Sequence, residues 1–281
     1  MRQFIHDAEA TLKTRYDERE IRAICKCLLQ QYTACSSSDF YIGKDINISQ
    51  EQRCLLQTAL QALSQGEPLQ YVLGVCEFYG HPFKLLPPVL IPRPETEELV
   101  DWVVKEQAAR RGRLLDVGCG SGCIAVSLAL HTALQVEAWD ILPQALECTR
   151  VNAEALGAKV LVRCCDLFRQ SEIQPSSSER YELIVSNPPY ICESQAADMQ
   201  DNVLEHESHL ALFVPDDDAL KYYEALAQLG RRRLLPGGCI YVEINELFGE
   251  QTAAVFRRAG YATTLLHRDL SGRDRMIKAC L

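Results

Sequence analysis

Apolar residues recur at helical spacing along the first part of the chain: Phe4, Ala8 and Leu12, then Ile21, Ile24, Cys25, Leu28 and Leu29, then Leu55, Leu56, Ala59, Leu60 and Leu63. Each set lies on one face of a 3.6-residue period. Up to residue 65 there is no proline and one glycine, Gly43. Ser49 followed three residues later by Gln52 has the form of a capping box. The pattern predicts a small helical domain over 1–70, its helices joined by the polar segment Cys35 to Asn47. So small a bundle buries little core and gains from docking on something larger.

From Pro68 the texture changes. Tyr71 to Phe83 alternates and carries Gly74, Gly80 and Pro82, which predicts a hairpin. Four prolines follow within eight residues (Pro87, Pro88, Pro92, Pro94), making a stiff extended segment. Residues 71–94 thus read as a hairpin and proline-rich linker. Glu95, Glu97 and Glu98 open the next helix, where the dipole favours acids, and it runs to about Arg110.

Strands and helices then alternate. Strand Arg113 to Val117 leads through Gly118–Gly122 into helix Cys123 to Leu130. Strand Gln135 to Trp139 ends at Asp140, and helix Pro143 to Leu156 has proline in its first turn. Strand Lys159 to Arg163 runs into Cys165-Asp166-Leu167-Phe168, and a polar loop with Ser176, Ser177 and Ser178 precedes strand Tyr181 to Val185. Asp216, Asp217 and Asp218 cap a helix reaching about Leu235, and Pro236-Gly237-Gly238 turns into strand Cys239 to Ile244. A helix from about Gly249 to Ala259 and strands near Tyr261–Leu266 and Arg275–Ala279 close the chain. This alternation predicts an α/β domain over 95–281 with a doubly wound, mostly parallel sheet.

Composition narrows the classes. With 281 residues, 47% apolar and 24% charged, the chain is ordinary globular protein in one large or two unequal domains. A net charge of −9 argues against a surface that binds duplex nucleic acid by counterion release. The thirteen cysteines are scattered, without a CxxC pair, and read as reduced, mostly core thiols of a cytoplasmic protein. No apolar run is long enough for a membrane helix, and the start of the chain lacks a signal-peptide core.

The chemistry gathers at strand ends. After strand Tyr181 to Val185 comes Ser186-Asn187-Pro188-Pro189-Tyr190. Two prolines cannot donate to a ladder, so the chain leaves in a stiff turn with Asn187 at the strand's carboxyl end. Open α/β sheets place their ligands there. The Asn187 side chain and the Pro188 carbonyl offer two acceptors beside an aromatic ring, Tyr190, a cradle suited to a planar NH2 group; an ordinary capped strand exit would read the same. Gly118-Cys119-Gly120-Ser121-Gly122 sits between a strand and a helix, and its glycines admit close approach of a ligand. The spacing is neither the dinucleotide GxGxxG nor a triphosphate loop. His206-Glu207-Ser208-His209 lacks the i, i+4 spacing of a zinc helix, so no metal site is expected.

The DxGxGxG of Asp116–Gly122 resembles the first motif of S-adenosylmethionine-dependent methyltransferases. That resemblance implies that Gly118, Cys119, Gly120, Ser121 and Gly122 take the methionine end, Asp140 the ribose hydroxyls, and Asp166 and Leu167 the adenine. Segments 89–100 (VLIPRPETEELV), 114–130, 152–157 (NAEALG), 183–191 (LIVSNPPYI) and 269–277 (DLSGRDRMI) together resemble the bacterial release-factor glutamine methyltransferases of the HemK/PrmC type. The match runs from about Tyr71 to the end. It implies a seven-stranded class I methyltransferase sheet behind a helical substrate-recognition domain. It further implies methyl transfer from S-adenosylmethionine, leaving S-adenosylhomocysteine, to the glutamine side-chain amide of the Gly-Gly-Gln loop in class I peptide chain release factors. By the same carry-over Asn187 and Pro188 accept the amide hydrogens, Pro189 and Tyr190 complete the substrate cradle, and Asn187 also touches the cofactor. Two positions depart from the family: Leu167 stands where Trp is common, and Glu207-Ser208 where Glu-Pro is usual, which predicts a slightly more mobile loop there. An adenine or guanine amino methyltransferase would use the same Asn-Pro-Pro-Tyr logic on a flipped base. A scaffold that binds the cofactor without turnover is the non-enzymatic alternative.

Overall fold

The computed structural model describes residues 1–170, 180–199 and 201–281; the Ser176–Ser178 loop expected above lies outside them. The chain divides into two compact units.

The first unit is helical: α1 (Arg2–Leu12), α2 (Glu18–Tyr32), α3 (Ser37–Tyr41), α4 (Gln50–Ser64) and α5 (Leu69–Leu73), with the short α10 (Asp201–His206) grouped with them. Asp17 caps α2 and Ser49 caps α4, each in a reciprocal capping box. The periodic apolar residues other than Leu55, which is exposed, close one core around Ala8, Leu12, Leu28, Leu29, Leu56 and Leu63. The segment Cys35 to Asn47 is not merely polar linker: it contains α3, whose Phe40 is buried in that core. Tyr71 belongs to α5 rather than to the hairpin, because Gly74 ends that helix in a left-handed turn.

In the second unit the hairpin β1 (Val75–Phe78) and β2 (His81–Lys84) leads to α6 (Pro94–Gln107), which stops three residues short of Arg110. Then follow β3 (Gly112–Val117), α7 (Cys123–His131), β4 (Leu134–Asp140), α8 (Pro143–Leu156), β5 (Val160–Cys164), α9 (Leu167–Gln170) and β6 (Tyr181–Ser186). A two-residue ladder that periodicity did not reveal joins β7 (Ile191–Cys192) to β8 (Phe213–Val214), with α11 (His209–Leu212) just before β8. Asp216–Asp218 form a separate 3-10 turn, and α12 runs from Lys221 to Arg233. β9 (Leu234–Glu243), α13 (Gly249–Arg258), β10 (Thr263–Arg268) and β11 (Asp274–Cys280) complete the unit. Pro236-Gly237-Gly238 is a bulge inside β9, not a turn before it: Tyr181 and Leu183 of β6 pair with Leu234 and Cys239.

Among the described residues the central sheet has seven strands in the order β10-β11-β9-β6-β3-β4-β5, with β11 antiparallel to both neighbours and the other pairings parallel. Its two faces are built by strict alternation. Leu114, Leu183, Val185 and Tyr241 join one core with α6 and α7; Leu115, Ile184, Ile240 and Val242 join the other with α12 and α13. The expected doubly wound, mostly parallel sheet is therefore present. Cys239 and Cys280 face each other across β9 and β11 and form a disulfide, contrary to the reading of uniformly reduced thiols.

Candidate active site

The strand order reverses between β3 and β6, and it is here that the two motifs meet. Val117 pairs with Ser186 at the carboxyl ends of the two strands, and the Ser186 hydroxyl donates to the Val117 carbonyl at 2.6 Å. The glycine turn leaves one strand and Asn187-Pro188-Pro189 the other, at a topological switch point where α/β sheets open a crevice. A cavity of about 360 Å³ lies there.

The glycine turn forms its floor. Gly118 and Cys119 donate their N–H groups to the Trp139 carbonyl at 2.8 and 3.0 Å, which draws the turn against the end of β4. Gly122 has φ 81°, and a Cβ there would meet Thr149 at 3.0 Å, so only glycine passes α8. A Cβ on Gly118 would instead meet nothing within 4 Å, because that residue faces the cavity. From α8, Thr149 donates to the Gly120 carbonyl at 3.1 Å. Asn152 donates to the Ser121 carbonyl at 2.9 Å while exchanging hydrogen bonds with both backbone groups of Lys84. The NAEALG segment thus has a physical role: its asparagine locks the turn to β2.

Asp140 ends β4 as expected. One carboxylate oxygen accepts the Gly120 N–H at 3.0 Å and the other the Leu142 N–H at 2.9 Å. Burial pushes its carboxyl up, and these backbone donors pull it back. Asp166 lies two residues beyond β5, where it accepts the Phe168 N–H at 2.9 Å and opens α9. Leu167 is buried and lines the cavity, as do Cys119, Ser121, Asp140 and Asp166. Sequence reading missed the aromatic wall beside them: Phe168, 41% exposed, and Tyr222 of α12, with ring centroids 5.1 Å apart. Phe168 follows Leu167 directly and could have been suspected; Tyr222 gives no local signal within its helix.

The proline-rich segment supplies another wall through Val89, Leu90, Pro92 and Arg93. It is fastened to residues well over a hundred positions away. Glu207 accepts the Ile91 N–H at 3.1 Å and the Arg93 guanidinium at 2.6 Å. Ser208 donates its N–H, which proline would lack, to the Pro88 carbonyl at 3.1 Å. The departure from Glu-Pro at 207–208 therefore adds a tether.

Asn187, Pro188 and Pro189 line the cavity, and Tyr190 is not among its walls. The Tyr190 ring packs against the α12/α13 core, and its hydroxyl donates to Glu243 at 2.9 Å. The Asn187 side-chain amide donates to the Thr96 hydroxyl at 3.0 Å, and Thr96 donates to the other Glu243 oxygen at 2.7 Å. Neither Thr96 nor Glu243 was singled out from sequence, although Thr96 sits inside the IPRPETE segment. Burial pushes the Glu243 carboxyl up; the hydrogen bonds from Thr96 and Tyr190 and the charge of Arg275 oppose it. Asp116, beneath the turn, is fully buried, accepts the Ala125 N–H at 3.1 Å, and is pushed up to about 8 by desolvation.

The fold and crevice define a class, and comparison with known proteins agrees. The family model described as "Methyltransferase small domain" matches residues 96–212, and that described as "PrmC N-terminal domain" matches residues 3–74. A methyltransferase structure from Pyrococcus furiosus superposes with a TM-score of 0.53 at 13% identity, covering 83% of this chain and 98% of its own, a likeness of fold. The chain has a methyltransferase fold. The release factor glutamine methyltransferase of Bacteroides thetaiotaomicron is 42% identical over 270 residues, 96% of each chain. That of Flavobacterium psychrophilum is 35% identical over 272 residues, 95% of this chain and 94% of its own. The chain belongs to the family of release factor glutamine methyltransferases. No helix among the described residues is long and apolar enough to cross a membrane.

Proposed function

We propose that this chain transfers a methyl group from S-adenosylmethionine to the side-chain amide nitrogen of the glutamine in the Gly-Gly-Gln loop of class I peptide chain release factors, and so modulates translation termination. The observation that carries the reading is the set of the Asn187 amide. Its nitrogen is committed to Thr96, which leaves its carbonyl oxygen as an acceptor at the cavity, next to the glycine turn.

The residues present suit the methyl donor. Gly118 opens onto the cavity without a neighbour that its missing side chain would have met. Each Asp140 oxygen has accepted one backbone N–H and keeps capacity for a ribose hydroxyl. Asp166, Leu167, Phe168 and Tyr222 provide an acceptor and apolar surface for the adenine. S-adenosylmethionine, when bound, supplies a methyl group on a sulfonium: an N–C bond forms to the glutamine nitrogen, the C–S electron pair passes to sulfur, and the nitrogen gives one proton to solvent.

What the chain must add is orientation, because an amide lone pair is delocalised and no side-chain base ionises an amide at neutral pH. Asn187 Oδ1 and the Pro188 carbonyl each accept one N–H of the substrate amide. That turns the nitrogen toward the donor and stabilises the positive charge that develops on it. Pro188 and Pro189 hold the cradle rigid. Tyr190 acts from behind the cradle, through Glu243. The helical unit over 1–70 is the part we assign to release-factor recognition, which the match of residues 3–74 supports. A cytoplasmic setting follows from that substrate.

The test is mass spectrometry of the Gly-Gly-Gln peptide after recombinant release factor is incubated with the protein and S-adenosylmethionine. A methyl group on that glutamine is expected with wild type. Asn187→Ala is expected to abolish it while still binding S-adenosylhomocysteine in calorimetry. An unmodified peptide with wild type, or near-wild-type turnover in Asn187→Ala, would overturn the reading.

A further inference from the structure

Asparagine has an acceptor end and a donor end of nearly equal shape, and the cradle works only if the acceptor end faces the substrate. From the structure we infer that Thr96 and Glu243 are positioning residues: a relay from Glu243 through the Thr96 hydroxyl holds Asn187 with its carbonyl oxygen toward the acceptor amide. The inference rests on the methyl-transfer reading above and adds to it the device that sets the cradle's polarity.

The number of hydrogens available to each group fixes the direction of the relay. Glu243 is fully enclosed within the fold and, when ionised, can only accept. Its two oxygens take one donor each, Thr96 Oγ1 at 2.7 Å and Tyr190 Oη at 2.9 Å. A threonine hydroxyl has a single hydrogen. Once that hydrogen is given to Glu243, Thr96 can only accept from its other neighbour, and that neighbour is Asn187 at 3.0 Å. A flipped Asn187 would set its carbonyl oxygen against the lone pairs of Thr96 and turn its NH2 toward the hydrogens of a substrate amide, so both contacts would be lost at once. With both of its oxygens accepting, Glu243 sets the direction of every hydrogen bond up to the cradle. Thr96 is itself buried.

Tyr190 strengthens the same device. Its hydroxyl occupies the second Glu243 oxygen, and its carbonyl accepts from Asn245 at 3.0 Å. The Asn-Pro-Pro-Tyr turn is thus pinned to Glu243 at both ends, once through Thr96 and once through Tyr190. The elements that meet here are the start of α6, the end of β6 and the end of β9, three places far apart in sequence.

The test separates polarity from folding. Thr96→Val keeps the shape and removes the hydroxyl; Thr96→Ser restores it. Thr96→Val is expected to lower kcat for release-factor methylation by about 10- to 100-fold with unchanged affinity for S-adenosylhomocysteine, and Thr96→Ser to recover most of that loss. Glu243→Gln, which can donate as well as accept, is expected to lower kcat similarly. A second readout needs no turnover. The chain has five asparagines, so labelling their side-chain amides with nitrogen-15 gives few signals, and the one lost in Asn187→Ala identifies Asn187. That signal is expected to move in Thr96→Val and to stay near its wild-type position in Thr96→Ser. An unmoved signal, a kcat within twofold of wild type in Thr96→Val, or equal losses in the Val and Ser variants would overturn the inference. Should wild type fail to methylate the release factor, the proposed function falls, and the amide signal still decides whether the relay sets Asn187.

Discussion

Glu207 and Ile91, separated by more than a hundred residues in sequence, are joined by a hydrogen bond of 3.1 Å from the Ile91 N–H to a carboxylate whose other oxygen holds Arg93 at 2.6 Å. This one buried side chain fastens the proline-rich wall of the cavity to the chain that follows the Asn-Pro-Pro-Tyr turn. Removing it strands the Ile91 N–H and frees the Arg93 guanidinium, which is one-third exposed and can turn to water. Glu207→Ala is expected to cost about 2 kcal/mol, the scale of a lost charged hydrogen bond. Differential scanning calorimetry should show this as a drop of roughly 5 °C in Tm, with weaker binding of S-adenosylhomocysteine. Glu207→Gln keeps an acceptor for Ile91 and should lose less. Equal stability in all three proteins would show that the wall does not depend on this bond.

Asp140 has two duties that a substitution can separate. Its carboxylate ties the glycine turn at Gly120 and the start of α8 at Leu142, and in the proposed function it also receives the ribose. Asp140→Asn retains an acceptor for one backbone N–H but presents an NH2 to the other. Cofactor affinity is expected to fall by about tenfold or more, the scale of 1.4 kcal/mol or greater for a lost charged hydrogen bond. Calorimetric titration with S-adenosylhomocysteine measures it. An unchanged Kd would remove Asp140 from the cofactor site.

The strands and their order of chemistry were legible because parallel strands buried on both faces are continuous apolar runs, and because glycine and proline punctuate their ends. Asp140 and Asn187 could be placed at strand ends from that pattern alone. Thr96, Glu243 and Tyr222 could not, since tertiary packing brings Thr96 and Tyr222 to the crevice and Glu243 behind it. Glu243 reads as one polar residue at the end of an apolar strand, and nothing local indicates that it faces Thr96 of α6. Tyr190 shows the converse. The sequence places the Tyr190 ring in the substrate cradle, but the α12/α13 core and Glu243 draw the ring away from the cavity wall. The bulge at Pro236–Gly238 was read as a turn because proline and glycine mark both, and only strand pairing tells them apart.

Phe168 and Tyr222 bear on the Leu167 question. Leu167 offers no ring for stacking, but the residue after it does, and Tyr222 supports it at 5.1 Å. Phe168→Ala is expected to weaken S-adenosylhomocysteine binding by roughly 2- to 10-fold, the scale of one aromatic contact. Because Phe168 is 41% exposed, Tm should change little. An unaltered Kd would mean that the adenine is held without Phe168.

Asp116 gives a pH signature of stability apart from catalysis. Folding moves its carboxyl from about 4 in the unfolded chain to about 8, because desolvation disfavours the ionised form. Between those values the folded state holds a proton that the unfolded state has released, so stability falls as pH rises, and the slope levels off above pH ~8. One such proton gives a slope of ~1.4 kcal/mol per pH unit where the difference is complete. Asp116→Asn cannot ionise, and its side-chain oxygen can still accept the Ala125 N–H. Urea unfolding across pH 5 to 8 is expected to show a shallower decline in the variant than in wild type. The two curves should lie farthest apart at the alkaline end, with the variant the more stable there. Parallel curves would mean that Asp116 is ionised in the folded protein throughout that range.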